Sequence, residues 1–405
     1  MADDAVSKSR RQPQPASRPA SQSELDARIS GARAFLKNQV LAIATFAVFW
    51  LLGSGQCLAQ NAYITNEFSN TVSVIDTASN TVIATISAGG EPGGVAVSPD
   101  GRKVYVANTL GDSVSVIDTA TNTVIATVPV VRPEGVAVSP GSNKVYVGSL
   151  TLNTVSVIDT TKNTVTATIP VGAEPNGVAV APDSSKVYVS NFISGTVSVI
   201  NTETETVTAT IPVGGGPEGI AVGPDGSKVY VPNVFSATVS VIATQSNTVT
   251  ATIPVGAEPI GVALTADGKK LYVTNGTSNT ASVIDTATAT VIATIPVGTS
   301  PLGVALTPDG SKLYVANYLS DTVSVIDTAK NTLTATIPVG SHPVAFGIFI
   351  QPPTKFAGTP GKANCVGQSV SALAKQYGGL NNAAATLGYS SVSALQNAIM
   401  AYCEG

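Results

Sequence analysis

The chain is poor in the residues that most catalytic and metal chemistry needs. Its 405 residues include one histidine, His342, three cysteines and one tryptophan, Trp50. A single His excludes the multi-His sites that hold copper or zinc. No Cys-x-x-Cys-His haem attachment, Gly-x-x-x-x-Gly-Lys phosphate loop or Asp-x-Asp-x-Asp-Gly calcium loop occurs, so no cofactor and no metal are expected. Charge is scarce too, at 11 % of residues. Seven of the 21 Lys and Arg, but only four of the 25 Asp and Glu, precede Gln60, so the rest carries 14 basic against 21 acidic residues, a net of −7. Without a basic stripe to neutralise phosphates, nucleic acid is not an expected partner.

What the chain has in excess is repetition. Ser-Val-Ile-Asp-Thr, or a close variant, brings a residue to positions Asp76, Asp118, Asp159, Asn201, Ala243, Asp285 and Asp327, spaced 42 residues apart except for one interval of 41. A Tyr keeps the same beat at 63, 105, 146, 188, 230, 272 and 314. A fixed period near 42 marks one supersecondary unit that buries its apolar face only by stacking on its neighbours. Within 301–340 four short β-branched runs, 303–306, 312–316, 322–327 and 332–339, are separated by Pro-Asp-Gly and Asn-rich turns. Four antiparallel strands with short hairpins make a propeller blade. The expected class is therefore all-β: a seven-bladed β-propeller over 60–350. The chain enters at the second strand of a blade, 62–65, and ends on a lone first strand, 343–350, so closure joins one C-terminal strand to three N-terminal ones and removes exposed edges.

Tyr272-Val-Thr-Asn275, Tyr63-Ile-Thr-Asn66, Tyr105-Val-Ala-Asn108, Pro301-Leu-Gly-Val-Ala-Leu-Thr-Pro-Asp-Gly310 and Ile337-Pro-Val-Gly340 resemble the signature of the YVTN-family β-propeller repeat. The resemblance covers 61–350 and implies an envelope or surface-layer propeller with no defined reaction. It departs at Ser149 (for Asn), at Ala243 (for Asp) and at Val130-Val131-Arg132-Pro133, which is one residue short. A Trp-Asp type propeller is excluded, because Trp50 lies outside the repeats.

The ends read differently. Residues 1–39 are polar and basic, and Val40–Leu52 is an apolar run of 13, too short to span a bilayer and suited to a signal-peptide core. Cys57-Leu58-Ala59 offers small residues for cleavage, giving a mature start at Gln60 and a periplasmic, extracellular or cell-surface protein. After a Pro/Gly-rich linker, 351–364, apolar residues at helical spacing suggest a small helical domain over 365–405, stapled by a Cys365–Cys403 disulfide.

A residue present in every blade is most economically a fold residue, so function is sought where copies differ. The loop x-Pro-x-Gly between blades differs most. Glu91, Arg132, Glu174, Gly216, Glu258, Ser300 and His342 stand before its Pro; Gly93, Glu134, Asn176, Glu218, Ile260, Leu302 and Val344 stand after it. The loop after the repeated Asn adds Phe68, Leu110, Leu150, Phe192, Phe235 and Tyr318 on the same face. A charged centre with an apolar rim suits a binding site for a protein, peptide or envelope polymer, with cationic groups favoured by the carboxylates. The expectation is thus a monomeric, non-catalytic scaffold with no membrane span after cleavage. The alternatives are a lactonase-type hydrolase working through His342, Arg132 and Glu134 or Glu174, and a passive structural surface protein.

Overall fold

The repeated turns force the chain back on itself every six or seven residues. The computed structural model describes residues 60–352 other than Ser142, together with seven positions further on. Six four-stranded antiparallel sheets lie within 92–129, 133–170, 175–212, 221–254, 259–296 and 301–338. A seventh contains Asn61–Asn66, Thr71–Asp76 and Thr81–Ser87. Counted along the chain, 61–87 is the first blade and 301–338 the seventh. Inner strands of neighbouring blades pack on one another around a central channel, and the two middle strands of each blade are buried, whereas the outer strands alternate exposed and covered residues.

The recurring Tyr and Asn are fold residues. Tyr63, Tyr105, Tyr146, Tyr188, Tyr272 and Tyr314 are almost wholly buried between blades. Each aromatic side chain removed from water contributes about 2–3 kcal/mol. The Asn side chain spans the hairpin that follows it: Asn66 Nδ2 donates to Thr71 Oγ1 and Ser73 Oγ at 3.1 and 2.9 Å, and Asn317 does the same to Thr322 and Ser324. Its amide fills the space beside a glycine of the preceding loop, where a Cβ on Gly172 would stand 2.6 Å from Asn191 Cγ. Two of the sequence departures are therefore one change. The shortened third-blade loop puts Val131 where the glycine would be, and Ser149, too short to span the hairpin, donates its hydroxyl to the Val131 carbonyl instead.

The ends do meet, with a difference from the continuous strand expected over 343–350. Pro343 pairs with Asn66 and Ile350 with Ala62, and Val344 N and Gln351 N donate to Thr65 O and Asn61 O, each at 2.9 Å. Ala345 N also donates to Thr65 Oγ1 and Tyr63 N to Phe349 O, but between these bonds, over 346–348, the segment swings away from the first blade and runs parallel to the inner strand of the second. There Val95 N donates to Phe346 O at 2.7 Å and Val97 N to Ile348 O at 2.9 Å. Ala345 (φ 53°) and Gly347 (φ 116°) turn the backbone out of the ladder. The first blade is thus three regular strands plus a clasp fixed at both ends. Tyr314 Oη, donating 2.7 Å to Asn80 Oδ1, ties the seventh blade to the first.

Residues 1–59, the linker and most of 365–405 lie outside the described residues, as does the Cys365–Cys403 pair. Val370, Leu373, Leu380, Val392, Leu395, Gln396 and Ile399 are described; each is helical, and Leu373, Leu395 and Ile399 are buried, but no complete helix is described there. Among the described residues no helix is long and apolar enough to cross a membrane.

Candidate functional site at the funnel mouth

The residue before each inter-blade Pro has left-handed backbone in all seven copies, with φ between 45° (Arg132) and 66° (Gly216). Its amide is held by the neighbouring hairpin: Glu91 N donates to Asn70 Oδ1, Arg132 N to Asp112 Oδ1 and His342 N to Asp321 Oδ1, each at 2.8 Å. Its carbonyl accepts from the residue after the repeated Asn, as in Thr109 N to Glu91 O at 2.9 Å and Phe192 N to Glu174 O at 2.8 Å. These bonds put both sets of loops on one face. The hairpin turns fill the same conformation mostly with Asn or Asp, which tolerate it; the mouth fills it with Glu, Arg and Ser, which tolerate it less, and with His and Gly.

The residue after the Pro is aimed differently. In the second blade Pro92 faces Asn108 and Val95 faces Val106, so three steps on the inner strand oppose two on its partner. Such a bulge turns a side chain out of the pleat, and the same irregularity recurs in the third, fourth, sixth and seventh blades; in the fifth, Pro217 faces Asn233 and Ala221 faces Tyr230, four steps against three. The next glycine is needed because neighbouring backbones nearly touch: a Cβ on Gly94 would lie 1.9 Å from Glu134 O, and one on Gly177 2.3 Å from Glu218 O.

Glu134 and Glu218 are thereby carried into the neck of the channel. Thr109 Oγ1 donates to Glu134 Oε2 at 2.8 Å. Burial pushes the Glu134 carboxyl up to about 7; the Thr109 bond and Arg132 oppose the rise, and the charges of Glu67 and Glu91 add to it. Burial also pushes Glu218 up to about 7, helped by Glu134 and Glu258. Five of the acidic and basic residues expected at the mouth are therefore linked electrostatically, Glu91 and Arg132 to Glu134, and Glu134 and Glu258 to Glu218. Glu174 occupies the equivalent loop, with its amide on Asn153 Oδ1, but no described interaction joins it to them. Glu67 belongs to the group and escaped the sequence reading, which sought charges only beside the Pro and took apolar residues alone from the loop after the Asn; it accepts a hydrogen bond from the Tyr318 phenol, whose pKa burial and that carboxylate both raise.

The apolar groups form two described clusters. Phe68 stacks on His342 at 4.1 Å between ring centroids, and Tyr318 meets His342 edge-on at 4.5 Å. Phe192 and Phe235 meet edge-on at 5.2 Å. The most exposed rim residues are Phe235 at 73 %, Ile193 at 63 %, Leu319 at 60 % and Phe68 at 59 %, with Leu110 and Leu152 above half. Ile193, Leu152 and Leu319 were not anticipated, because the sequence reading took only one residue per loop; Leu150, Phe192 and Tyr318 are half-buried beneath them. The described hydrogen-bond partner of the His342 ring is Ser341 Oγ, 2.8 Å from Nδ1. No described contact links the ring to Arg132, Glu134 or Glu174. No group of three His, Cys, Asp or Glu is disposed to hold a metal among the described residues.

A family model for YNCE-like beta-propellers matches residues 42–166 and 179–269, more than half of the chain. A 39-residue segment is 62 % identical to PE-PGRS family protein PE_PGRS18 of Mycobacterium tuberculosis, a match that spans only 8 % of that protein. Among solved structures, hydrazine synthase of Kuenenia stuttgartiensis aligns with a TM-score of 0.58 at 25 % identity, over 63 % of this chain and 88 % of that one. A functionally unknown protein from Desulfotomaculum acetoxidans aligns with 0.64 at 18 %, over 73 % and 100 %. A candidate 6-phosphogluconolactonase from Bacteroides uniformis aligns with 0.61 at 18 %, over 71 % and 98 %.

Proposed function

The chain belongs to the YNCE-like β-propeller family, and from that premise we propose that it is a non-catalytic binding scaffold whose funnel mouth takes a protein or peptide segment carrying Lys or Arg within an apolar surround. The observation that carries this reading is the ring of exposed Phe68, Leu110, Leu152, Ile193, Phe235 and Leu319 around carboxylates that face one another with one Arg among them. Apolar exposure gathered on one face, from loops of six blades, marks a contact surface. Carboxylates crowded on a half-enclosed face gain from a cation. The left-handed backbone supports the reading further, since Glu91, Arg132, Glu174, Glu258 and His342 hold a conformation that Asn or Gly would hold with less strain.

Immobilised peptides graded in Lys/Arg content and in apolar content test the reading. The full chain should retain peptides that have both features, and release them as salt rises. Ile193→Ser with Phe235→Ser should weaken retention at least tenfold without altering the salt dependence. Glu91→Gln with Glu258→Gln should flatten the salt dependence. Equal retention of neutral apolar peptides, or no retention at all, overturns it. Glu174→Asn should in addition raise the melting temperature, since Asn suits φ 53° better.

The likeness to a lactonase candidate, at 18 % identity, extends to the fold alone; the partner His342 has at Nδ1 is a serine hydroxyl rather than a carboxylate, which favours binding over hydrolysis. We take the protein as exported, with cleavage after Ala59 and a helical Cys365–Cys403 module as an appendage. Mass spectrometry of the exported protein should find Gln60 at the N-terminus, and an N-terminus upstream of Trp50 would refute export by this route.

A further inference from the structure

Beyond the neck, on the side away from the mouth, the inner strands enclose a cavity of about 540 Å³. Its wall is almost entirely Val, Ala, Leu, Ile and Pro, contributed by six inner strands and by the clasp residues Phe346, Ile348 and Ile350. The polar side chains that reach it are few. Ser98 and Thr265 are already committed to Asp100 and Asp267 of their own turns, at 2.6 and 2.7 Å. The other two, Asn176 and Glu218, occupy the same position after the Pro in adjacent blades, at the inner end of the cavity. Neither side chain has a hydrogen-bond partner among the described interactions, and both are half-buried at the edge of this apolar wall.

An apolar chamber of several hundred Å³ with a few convergent polar groups is the form of a small-molecule site. A carboxylate without a partner in such surroundings calls for a cation or a proton. We infer that this chamber binds an organic amine on a compact apolar body, its ammonium group donating to the Glu218 carboxylate and the Asn176 amide oxygen. The sign follows from the neighbours: Glu218 faces Glu134 and Glu258, Glu134 in turn faces Glu67, Glu91 and Arg132, and acids outnumber the single base. An anionic ligand would meet repulsion there, and a neutral one would leave the carboxylate unpaired. The aliphatic wall holds the body of the ligand, and Ile348, 71 % exposed on the clasp, closes one side. The chamber shares the neck carboxylates with the mouth surface, but its tests change Glu218 and Ile348, which the peptide-retention tests leave untouched.

Calorimetric titration of the full chain with 1-adamantylamine, 1-adamantanol and 1-adamantanecarboxylate tests it, together with a set of straight and branched alkylamines of graded size. The amine of each set should bind at least tenfold more tightly than the matching alcohol, and the carboxylate should not bind. Glu218→Gln should cost the amine at least tenfold and leave the alcohol unchanged. Ile348→Trp, a change at an exposed lining position that narrows the chamber from the clasp side, should weaken both at least tenfold. Near pH 6 amine binding should release a proton from Glu218, read as dependence of the heat on buffer ionisation, and Glu218→Gln should eliminate that release. Equal affinity for amine and alcohol, an unchanged amine affinity in Glu218→Gln, or no binding by any amine overturns the inference.

Discussion

Ala243 interrupts a pattern that explains why Asp recurs at the end of each third strand. Asp118 Oδ1 accepts from the backbone N–H groups of Ala120 and Thr121 at 3.0 and 2.9 Å, and Asp76, Asp159, Asp285 and Asp327 do the same in their own turns, with Asn201 in the fourth blade. Bonds donated by Thr161 and Lys162 pull the Asp159 carboxyl down to about 2. In the fifth blade an Ala offers no such acceptor. Ala243→Asp should therefore raise stability by about 1 kcal/mol, a rise of roughly 2 °C in melting temperature for a domain of this size. A melt of the variant at neutral pH measures it, and no change or a fall would mean that the fifth-blade turn has settled into another geometry.

The clasp is the element on which ring closure depends. Pro343, Ala345, Phe349 and Ile350 pin it to the first blade, and Phe346 and Ile348 between them accept hydrogen bonds from the second. Removing it exposes the flank of Asn61–Asn66 and leaves Val95 N and Val97 N without their partners. Unpaired edges template association. Deletion of 341–405 should give protein that aggregates on expression. Deletion of 361–405 should leave a monomer that melts in one transition, because every described closure contact lies before residue 352. Size-exclusion chromatography and circular dichroism of the two truncations decide the matter, and identical behaviour would remove the clasp from the account of closure.

Over the whole molecule the seven-fold arrangement concentrates charge that is dispersed along the sequence. Glu134 and Glu218 lie 84 positions apart, yet the Glu134 charge adds to the rise in Glu218 proton affinity in the neck. Both carboxyls titrate at about 7 in the fold, against 4.5 for the free group. The folded state therefore binds more protons than the unfolded one between pH 4.5 and 7, and stability falls as pH rises through that window. The loss is at most about 3 kcal/mol per carboxyl, reduced by water in the channel. Glu134→Gln with Glu218→Gln should flatten denaturant midpoints measured between pH 5 and 8 and raise the value at pH 8; a slope unchanged by the double substitution would place the carboxyls in bulk-like water.

The sequence by itself determined the number of blades, the strand order, the entry and exit phase and the structural standing of the Tyr and Asn, because a period of 42 and β-strand alternation are local and repeated seven times. It also marked the inter-blade loop as the place where copies diverge. Tertiary structure alone decided which divergent residues meet. Alternation does not reveal the bulge that turns Glu134 and Glu218 inward, nor that Glu67 joins them while Glu174 does not. Ile193, Leu152 and Leu319 outrank their loop neighbours in exposure, which depends on how each loop packs against the next blade. The clasp leaves its strand for the second blade because Ala345 and Gly347 take positive φ, and those angles depend on contacts with chain far away in sequence. The chamber behind the neck exists only once the ring has closed, since its wall draws residues from every blade's inner edge.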